Sequence, residues 1–177
     1  EGEELEQAQA GLQSWARVGL PMKRLCCGSH NEQGGQGLER GGDLGMPGEA
    51  RRAGEGVLRN GAGVVTGVSH GAHSGVRRAG QPERMVCPSD DGHLPSELLH
   101  SASALVIGPG MKDSVWSRNL LSAALDSHLP KLVDAGALRL LSEEDGRRDD
   151  WILTPHPGEA AALLGETTAN IQNLRFT

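Results

Sequence analysis

Short apolar runs, each ending near glycine or proline and followed by a helical segment, constrain the fold of this 177-residue chain most strongly. Strands are predicted at GVVTGV (63–68), SALVIGPG (103–110), the start of KLVDAGAL (131–138) and Trp151–Leu153. Short continuous apolar runs are typical of strands buried on both faces of a parallel sheet. Because strands and helices alternate through turns of a few residues, the sequence predicts an α/β fold with a doubly wound, mostly parallel sheet.

Three helices are predicted beside these strands. One begins near Pro47 and ends before Gly61, which suits a left-handed residue past a helix end. A second covers residues 114–129, with Ser114 as an N-cap, and a third runs from Pro157 to Leu164. After KLV, the segment DAGAL is predicted to be a turn.

The first 49 residues behave differently. Residues 1–20 have apolar side chains at nearly helical spacing and acidic residues at the start, which predicts an amphipathic helix or linker. Residues 21–49 include CCGSHNEQGGQGLERGGD, which has little apolar content and no periodicity. No core strand is predicted there.

Composition excludes several classes of function. The net charge is −6 and aromatic residues make up 2% of the chain, which argues against nucleic-acid partners and anionic membranes. The sequence has no apolar run of the roughly 18 residues that a membrane helix needs. The cysteines at positions 26, 27 and 87 form no Cys-x-x-Cys pair, which argues against structural zinc and favours the cytoplasm.

Two turns at predicted strand ends could carry chemistry. Gly108-Pro109-Gly110 is either a ligand-binding turn or simply a tight connection from strand to helix. In TPHPGE, His156 and Glu159 are three residues apart at a helix start, where both can face one cleft. The alternative for Glu159 is a favourable interaction with the helix N-terminus.

Three further residues have open interpretations. Asp134 ends an apolar run, where an acid is either functional or a cap for the next helix. His70 and His73 could share a metal, but no third ligand is nearby in the sequence. Surface histidines in a loop are the favoured interpretation of this pair.

Four segments occur in the order and spacing of a known family: GGDLGMPGEARRAGEGVLRNGAGVV, LVIGPGM, LVDAGAL and ILTPHPGEAAALLG. Over residues 41–173 the chain resembles the ADP/ATP-dependent NAD(P)H-hydrate dehydratases, which have a ribokinase-like fold. This family forms the carboxy-terminal domain of bifunctional nicotinamide nucleotide repair enzymes. The resemblance assigns residues 28–177 to the amino-terminal part of such a domain, and residues 1–27 to a helical linker or remnant of a preceding domain.

The resemblance implies a metabolite-repair lyase. Its members remove water from the (S) form of NAD(P)H hydrate, with ADP or ATP as phosphoryl donor and Mg²⁺ as cofactor. Phosphorylation of the ring hydroxyl is followed by phosphate elimination. An NAD(P)H-hydrate epimerase domain, fused or separate, is the implied partner, and a homo-oligomer is left open.

Motif matching implies roles for four residues. Ala53 in MPGEARRA, Gly110 in GPGM and His156 in TPHPGE would line the hydrated-nucleotide site. Glu159 stands where related ribokinase-like folds use a carboxylate near magnesium.

The chain also departs from the family pattern. The family's strand before GGD is apolar, whereas this chain has GSHNEQGGQGLERGGD, through a local frame error or real divergence. The family's later Lys-Gly loop and Gly-Thr-Gly-Asp segment are not in this sequence, so no residue receives the catalytic role. The alternatives are a vitamin-precursor kinase of the same superfamily, disfavoured by TPHPGE, and a non-catalytic binding module.

We expect the 177-residue chain alone to show no dehydratase turnover, because the segment that supplies the family's catalytic aspartate is not in it. The measurement is repair of hydrated NADPH by the purified chain with ADP or ATP. Measurable turnover would contradict this expectation.

Overall fold

The computed structural model describes residues 34–73, 75, 84–144 and 150–173. The helix predicted for residues 1–20 therefore lies outside the described residues, as does the motif Gly28-Ser29-His30. Among the described helices, none is long and apolar enough to cross a membrane.

The described residues form a six-stranded sheet in which every neighbouring pair of strands is parallel. The order across the sheet is β3-β2-β1-β4-β5-β6. The strands are β1 (Gln36–Arg40), β2 (Val64–Ser69), β3 (Arg84–Pro88), β4 (Ala104–Ile107), β5 (Lys131–Val133) and β6 (Trp151–Leu153). This arrangement confirms the predicted α/β class with a parallel sheet.

Helices connect these strands. They are α1 (Pro47–Arg59), α2 (Ser96–Ser101), α3 (Val115–Leu125), α4 (Ala135–Leu141), α5 (Pro157–Leu164) and α6 (Thr168–Asn173), and a 3₁₀ turn spans Gly71–His73. The predicted helices at Pro47 and Pro157 are confirmed, and both Gly61 and Gly165 have the positive φ expected past a helix end. Ser114 caps α3 by accepting a hydrogen bond from the Ser117 amide, although this helix ends at Leu125 rather than at residue 129.

The main core lies between one face of the sheet and helices α3 and α4. Leu38, Leu105, Ile107 and Val133 from the strands are almost fully buried here. They belong to one apolar cluster with residues of these helices, such as Leu120, Leu138, Leu121 and Ala137. Helix α1 packs on the opposite face, against β1 and β2.

Strand β1 corrects the expectation that residues 21–49 contain no core strand. It lies at the centre of the sheet, with Leu38 paired to Thr66 of β2 and to Leu105 of β4. The sequence QGLER gave no apolar signal, because two of its five residues are charged. Hydrogen bonding of the backbone to both neighbours places it there, since ladder bonds do not depend on side-chain type.

Helix α4 corrects the expectation of a turn after KLV. Residues 135–141 form two turns of helix, and Ala137, Leu138, Leu140 and Leu141 are buried. Within DAGAL, Gly136 weakens the helical signal of the segment. The apolar residues that anchor the helix extend to Leu141, so tertiary burial stabilises it.

The charged side chains of β1 are buried on opposite faces of the sheet. Glu39 lies on the α1 side and is paired with Arg84 of β3, whose Nη2 is 3.3 Å from Glu39 Oε2. Both side chains are fully buried. Arg84 Nη1 also donates to the Arg51 carbonyl of α1, at 3.0 Å. A side chain at position 54 would overlap this guanidinium, so Gly54 allows α1 to approach it.

Arg40 lies on the other face, among the apolar residues beneath α3. Its Nη1 donates to the Leu120 carbonyl at 3.1 Å, and the residue is fully buried. Within the described part of the chain, Nε and Nη2 have no hydrogen-bond partner. Burial lowers the pKa of Arg40 to about 9, because the charged form loses its hydration.

We expect Arg40→Met to raise the free energy of unfolding at pH 7 by about 1–4 kcal/mol, since it removes a buried charge that has no paired anion in the described residues. The advantage of the variant should shrink as the pH rises above 9, because folded Arg40 releases its proton before the unfolded chain does. Urea unfolding at pH 7 and pH 10 measures both effects. The control is Arg59→Met, at an exposed site. A destabilised Arg40→Met would contradict this prediction.

Candidate active site at the carboxyl edge of the sheet

The loops that follow β1 and β4 are joined at the carboxyl edge of the sheet. The Gly42 amide donates to the Pro109 carbonyl and the Asp43 amide donates to the Gly110 carbonyl, both at 3.0 Å. The Met111 amide closes the Gly108 turn at 2.9 Å. Ligands of open α/β sheets bind at this edge, so the joined loops form one wall of a candidate site.

The glycines of Gly108-Pro109-Gly110 are required by close packing of backbones. Gly108 and Gly110 have φ values of 125° and 72°, which favour glycine. A side chain at 108 would overlap the Asp134 carbonyl, and one at 110 would crowd the Met46 carbonyl. The structural interpretation of this turn is therefore supported, and ligand binding by Gly110 stays a prediction.

Asp43 connects the first loop to the start of α3. Its Oδ2 accepts hydrogen bonds from Ser114 Oγ at 2.5 Å and from Ser117 Oγ at 3.2 Å. Its Oδ1 accepts from the Leu44 amide at 2.6 Å, and Lys112 Nζ donates to the Leu44 carbonyl at 2.8 Å. Because the Asp43 side chain holds both its own loop and the α3 N-terminus, it fixes their separation.

The charge of Asp43 is stabilised by these contacts. Burial by itself raises the pKa of the carboxyl group. Hydrogen bonds from Ser114, the Leu44 amide and Ser117, together with the positive charge of Lys112, outweigh burial and lower the pKa below its ordinary value. Asp43 is therefore an anion throughout the neutral range, in a site that is only 5% exposed.

His156 and Glu159 form a reciprocal cap at the start of α5. His156 Nδ1 accepts hydrogen bonds from the amides of Gly158, at 3.0 Å, and Glu159, at 3.2 Å. Glu159 Oε2 accepts from the His156 amide at 2.9 Å, and Oε1 is 3.3 Å from His156 Nε2. Both side chains therefore satisfy amide groups that a helix N-terminus leaves open. This geometry supports the alternative in which Glu159 stabilises the helix.

A cleft of about 470 Å³ opens beside this cap. Its walls include Met111, Ala135, Arg139, His156 and Glu159. Ala135 has a φ of 47°, in a region that costs a non-glycine residue about 1–2 kcal/mol. Such strain persists only where the surrounding packing imposes it, and it is frequent at functional sites.

Asp134 follows the end of β5 and lines a groove of about 530 Å³ on the α1 side of the sheet. Its Oδ1 accepts a hydrogen bond from Thr154 Oγ1 at 2.9 Å, which ties the loop after β5 to the loop after β6. The side chain makes no capping hydrogen bond to α4, although Asp134 occupies the N-cap position. The Asp134 carboxylate therefore positions the loop after β6 and does not cap α4 by a side-chain hydrogen bond.

Comparison with known proteins assigns the chain to a family. A family model described as NAD(P)H-hydrate dehydratase matches residues 40–176. The chain belongs to the NAD(P)H-hydrate dehydratase family.

Individual relatives agree with this family. The chain is 51% identical over 79 residues to the bifunctional NAD(P)H-hydrate repair enzyme Nnr of Coxiella burnetii. The matched segment covers 45% of this chain and 16% of that protein. It is 38% identical over 78 residues to the ADP-dependent (S)-NAD(P)H-hydrate dehydratase of Neisseria meningitidis, covering 40% and 26% of the two chains.

Solved structures agree on the fold. The ADP/ATP-dependent NAD(P)H-hydrate dehydratase of Bacillus subtilis, co-crystallised with ATP and Mg²⁺, matches with a TM-score of 0.74 and 26% identity. The match covers 86% of this chain and 55% of that one. A ribokinase-like superfamily protein of Enterococcus faecalis matches with a TM-score of 0.75 and 22% identity over 86% of this chain and 57% of that one, which shows the fold. The predicted ribokinase-like fold is thereby confirmed.

Two of the three residues predicted to line the nucleotide site of this dehydratase-family chain line different cavities. Ala53 lines a groove of about 530 Å³ on the α1 side, together with Pro109. His156 lines the 470 Å³ cleft together with Met111. Gly110 lies between Pro109 and Met111, so the Gly-Pro-Gly turn stands between the two cavities. The assignment of these residues to one site stays a prediction.

Glu159, which the resemblance places near magnesium, already has partners within the protein. The described ranges hold no group of three His, Cys, Asp or Glu side chains placed to bind a metal ion. Both Glu159 oxygens already contact His156. Near the sheet edge, His73 Nε2 accepts a hydrogen bond from the Gly45 amide at 2.9 Å, which gives this histidine a structural partner. The role of Glu159 near magnesium stays a prediction.

Sequence reasoning missed two residues of the site. Asp43 follows the strand that the residue pattern did not predict, so only the resemblance, with its strand before GGD, placed it near a strand end. Arg139 lies in the helix that was not predicted, three residues after Gly136. Asp43 was visible as a polar residue beside two glycines, whereas Arg139 gave no such signal because Gly136 lies within α4.

We expect Asp43→Ala to lower the free energy of unfolding at pH 7 by about 1–3 kcal/mol, because the partly buried hydroxyl and amide donors around it lose their acceptor. Since the folded carboxyl group has a lowered pKa, its contribution is present above about pH 4 and is lost as the pH falls further. Urea unfolding between pH 3 and pH 7 measures this.

The matched control is Asp113→Ala, which removes a half-exposed carboxylate from the same edge. Its effect should stay below about 1 kcal/mol, the usual size for an exposed ion pair. Equal effects for the two variants would contradict the structural role of Asp43.

Proposed function

We propose that this chain supplies the hydrated-nucleotide side of an ADP- or ATP-dependent NAD(P)H-hydrate dehydratase. The reaction is removal of water from (S)-NADH or (S)-NADPH hydrate, a hydro-lyase reaction that restores the dihydronicotinamide. The supporting observation is the cleft at the carboxyl edge of the sheet, which is lined by His156 within a chain whose residues 40–176 match the dehydratase family model.

His156 is suited to hold a polar group of the hydrated ring. Its Nδ1 accepts two backbone N–H groups, so in the neutral imidazole the proton belongs to Nε2. That proton already faces Glu159 Oε1, which is 3.3 Å from Nε2, so a ring hydroxyl or a carboxamide oxygen would share the donor with this carboxylate. The side chain is 67% exposed, so a ligand in the cleft can reach it.

The phosphoryl donor would convert the ring hydroxyl into a phosphate, which leaves more readily than hydroxide. Nucleotide use is supported by the names of the Neisseria and Bacillus relatives. Within the proposed reaction, the contribution of this chain is to bind and orient the hydrated ring at His156. Met111 and Ala135 form part of the wall of the same cleft.

The wider context is proposed from the same family. The name of the Coxiella relative describes a bifunctional repair enzyme, which supports an NAD(P)H-hydrate epimerase domain as partner, fused or separate. We place residues 1–27 as a linker or remnant of a preceding domain and residues 28–177 in the dehydratase domain. A cytoplasmic location suits the nucleotide substrates.

We expect His156→Ala to weaken binding of (S)-NADPH hydrate by the purified chain by about tenfold, because one hydrogen bond to the ligand is lost. Titration calorimetry measures the dissociation constant. The control is His100→Ala, a histidine on α2 that lies outside this cleft.

Two results would contradict the proposal. One is an absence of heat when the wild-type chain is titrated with the hydrate. The other is a dissociation constant that His156→Ala and His100→Ala leave equally unchanged.

A further inference from the structure

Arg139 places a positive charge in the cleft of His156. It lies on α4, its side chain is exposed, and it lines the same cavity as His156 and Glu159. Within the described ranges, its guanidinium makes no ion pair and no side-chain hydrogen bond. The last turn of α4 favours a cation at this point, and the guanidinium remains available to a ligand in the cleft.

Another exposed arginine of the same layer shows the contrast. Arg118 on α3 is held between Asp113, at 2.7 Å, and Glu143, at 2.8 Å. These hydrogen bonds raise the pKa of Arg118 above its ordinary value. Its charge is thus matched by the protein, whereas the charge of Arg139 is available to a ligand.

The neighbouring groups favour an anion as that ligand. The carboxylate that lines the cleft belongs to Glu159, and both of its oxygens face His156 at 2.9 to 3.3 Å. A guanidinium presents several N–H donors in a planar fork that matches the oxygens of a phosphate. A dinucleotide carries phosphate groups within reach of its nicotinamide end, through one ribose.

We propose that Arg139 binds a phosphate group of the hydrated dinucleotide whose ring lies at His156, and that it thereby helps to determine which dinucleotide the cleft accepts. This inference rests on the proposed function. Two phosphate sources share the required chemistry: the pyrophosphate, which both dinucleotides carry, and the 2′-phosphate, which only the NADPH form carries.

The experiment is titration calorimetry of the full 177-residue chain with (S)-NADH hydrate and with (S)-NADPH hydrate, for wild type, Arg139→Gln and Arg139→Lys. We expect Arg139→Gln to weaken binding by about tenfold, and Arg139→Lys to restore part of it, because lysine keeps the charge without the fork. A loss for both hydrates identifies the pyrophosphate, and a loss confined to the NADPH hydrate identifies the 2′-phosphate. Arg118→Gln, which removes an equal charge from α3, should leave both dissociation constants unchanged.

Salt dependence provides a second measurement. If Arg139 contacts a phosphate, affinity should fall as salt rises, and this fall should be shallower in Arg139→Gln than in wild type. Wild-type binding that Arg139→Gln leaves unchanged for both hydrates would overturn the role of Arg139 alone. Failure of wild type to bind either hydrate would overturn the proposed function as well. Equal melting temperatures of the variants exclude misfolding as the cause.

Discussion

Backbone pairing of β1 with strands on both sides is the constraint on which the rest of the structure depends. Leu38 faces the core, but Glu39 and Arg40 bring charge into the centre of the sheet. Parallel ladders on either flank hold the strand in place. The carboxyl end of β1 then delivers Gly42 and Asp43 to the loop after β4, so the geometry of the candidate site begins with this strand.

Asp43 and the α5 cap show two ways in which a site edge is made rigid. Asp43 joins two loops that are far apart in sequence, through the hydroxyl groups of Ser114 and Ser117. His156 and Glu159 act locally, since each satisfies an amide at the same helix start. The cleft beside the α5 cap is therefore bounded by a helix start whose backbone amides already have partners. Among the side chains that line it, the guanidinium of Arg139 is available to a ligand, whereas His156 Nε2 lies 3.3 Å from Glu159 Oε1.

The sequence predicted the strands that are rich in apolar residues and missed the central strand β1, which carries two charged residues. The runs around Val65, Leu105 and Ile152 are apolar enough to indicate strands by themselves, and their turns contain glycine or proline. β1 could not be predicted from side-chain pattern, because its position depends on ladder bonds to strands that are distant in sequence. β3 was also missed, since Arg84 enters the core through a pairing with Glu39 that no local pattern reveals. Of the site, TPHPGE was recognised from its residues, whereas Asp43 and Arg139 required the elements that position them.

The buried pair of Glu39 and Arg84 also determines the spacing between α1 and the sheet, through its contact with Gly54. The Arg84 guanidinium occupies the volume that a side chain at position 54 would need, and it also holds the Arg51 carbonyl of the same helix. The Arg84 side chain therefore sets the distance between α1 and the sheet. Glu39 of β1 holds its guanidinium in place. Ala53 directly precedes Gly54 in α1 and lines the larger groove, so the contact between Gly54 and Arg84 also determines how far this wall of the groove stands from the sheet. A change in the size of the side chain at position 84 would shift α1, and with it one wall of the groove. No residue that lines the groove would need to change.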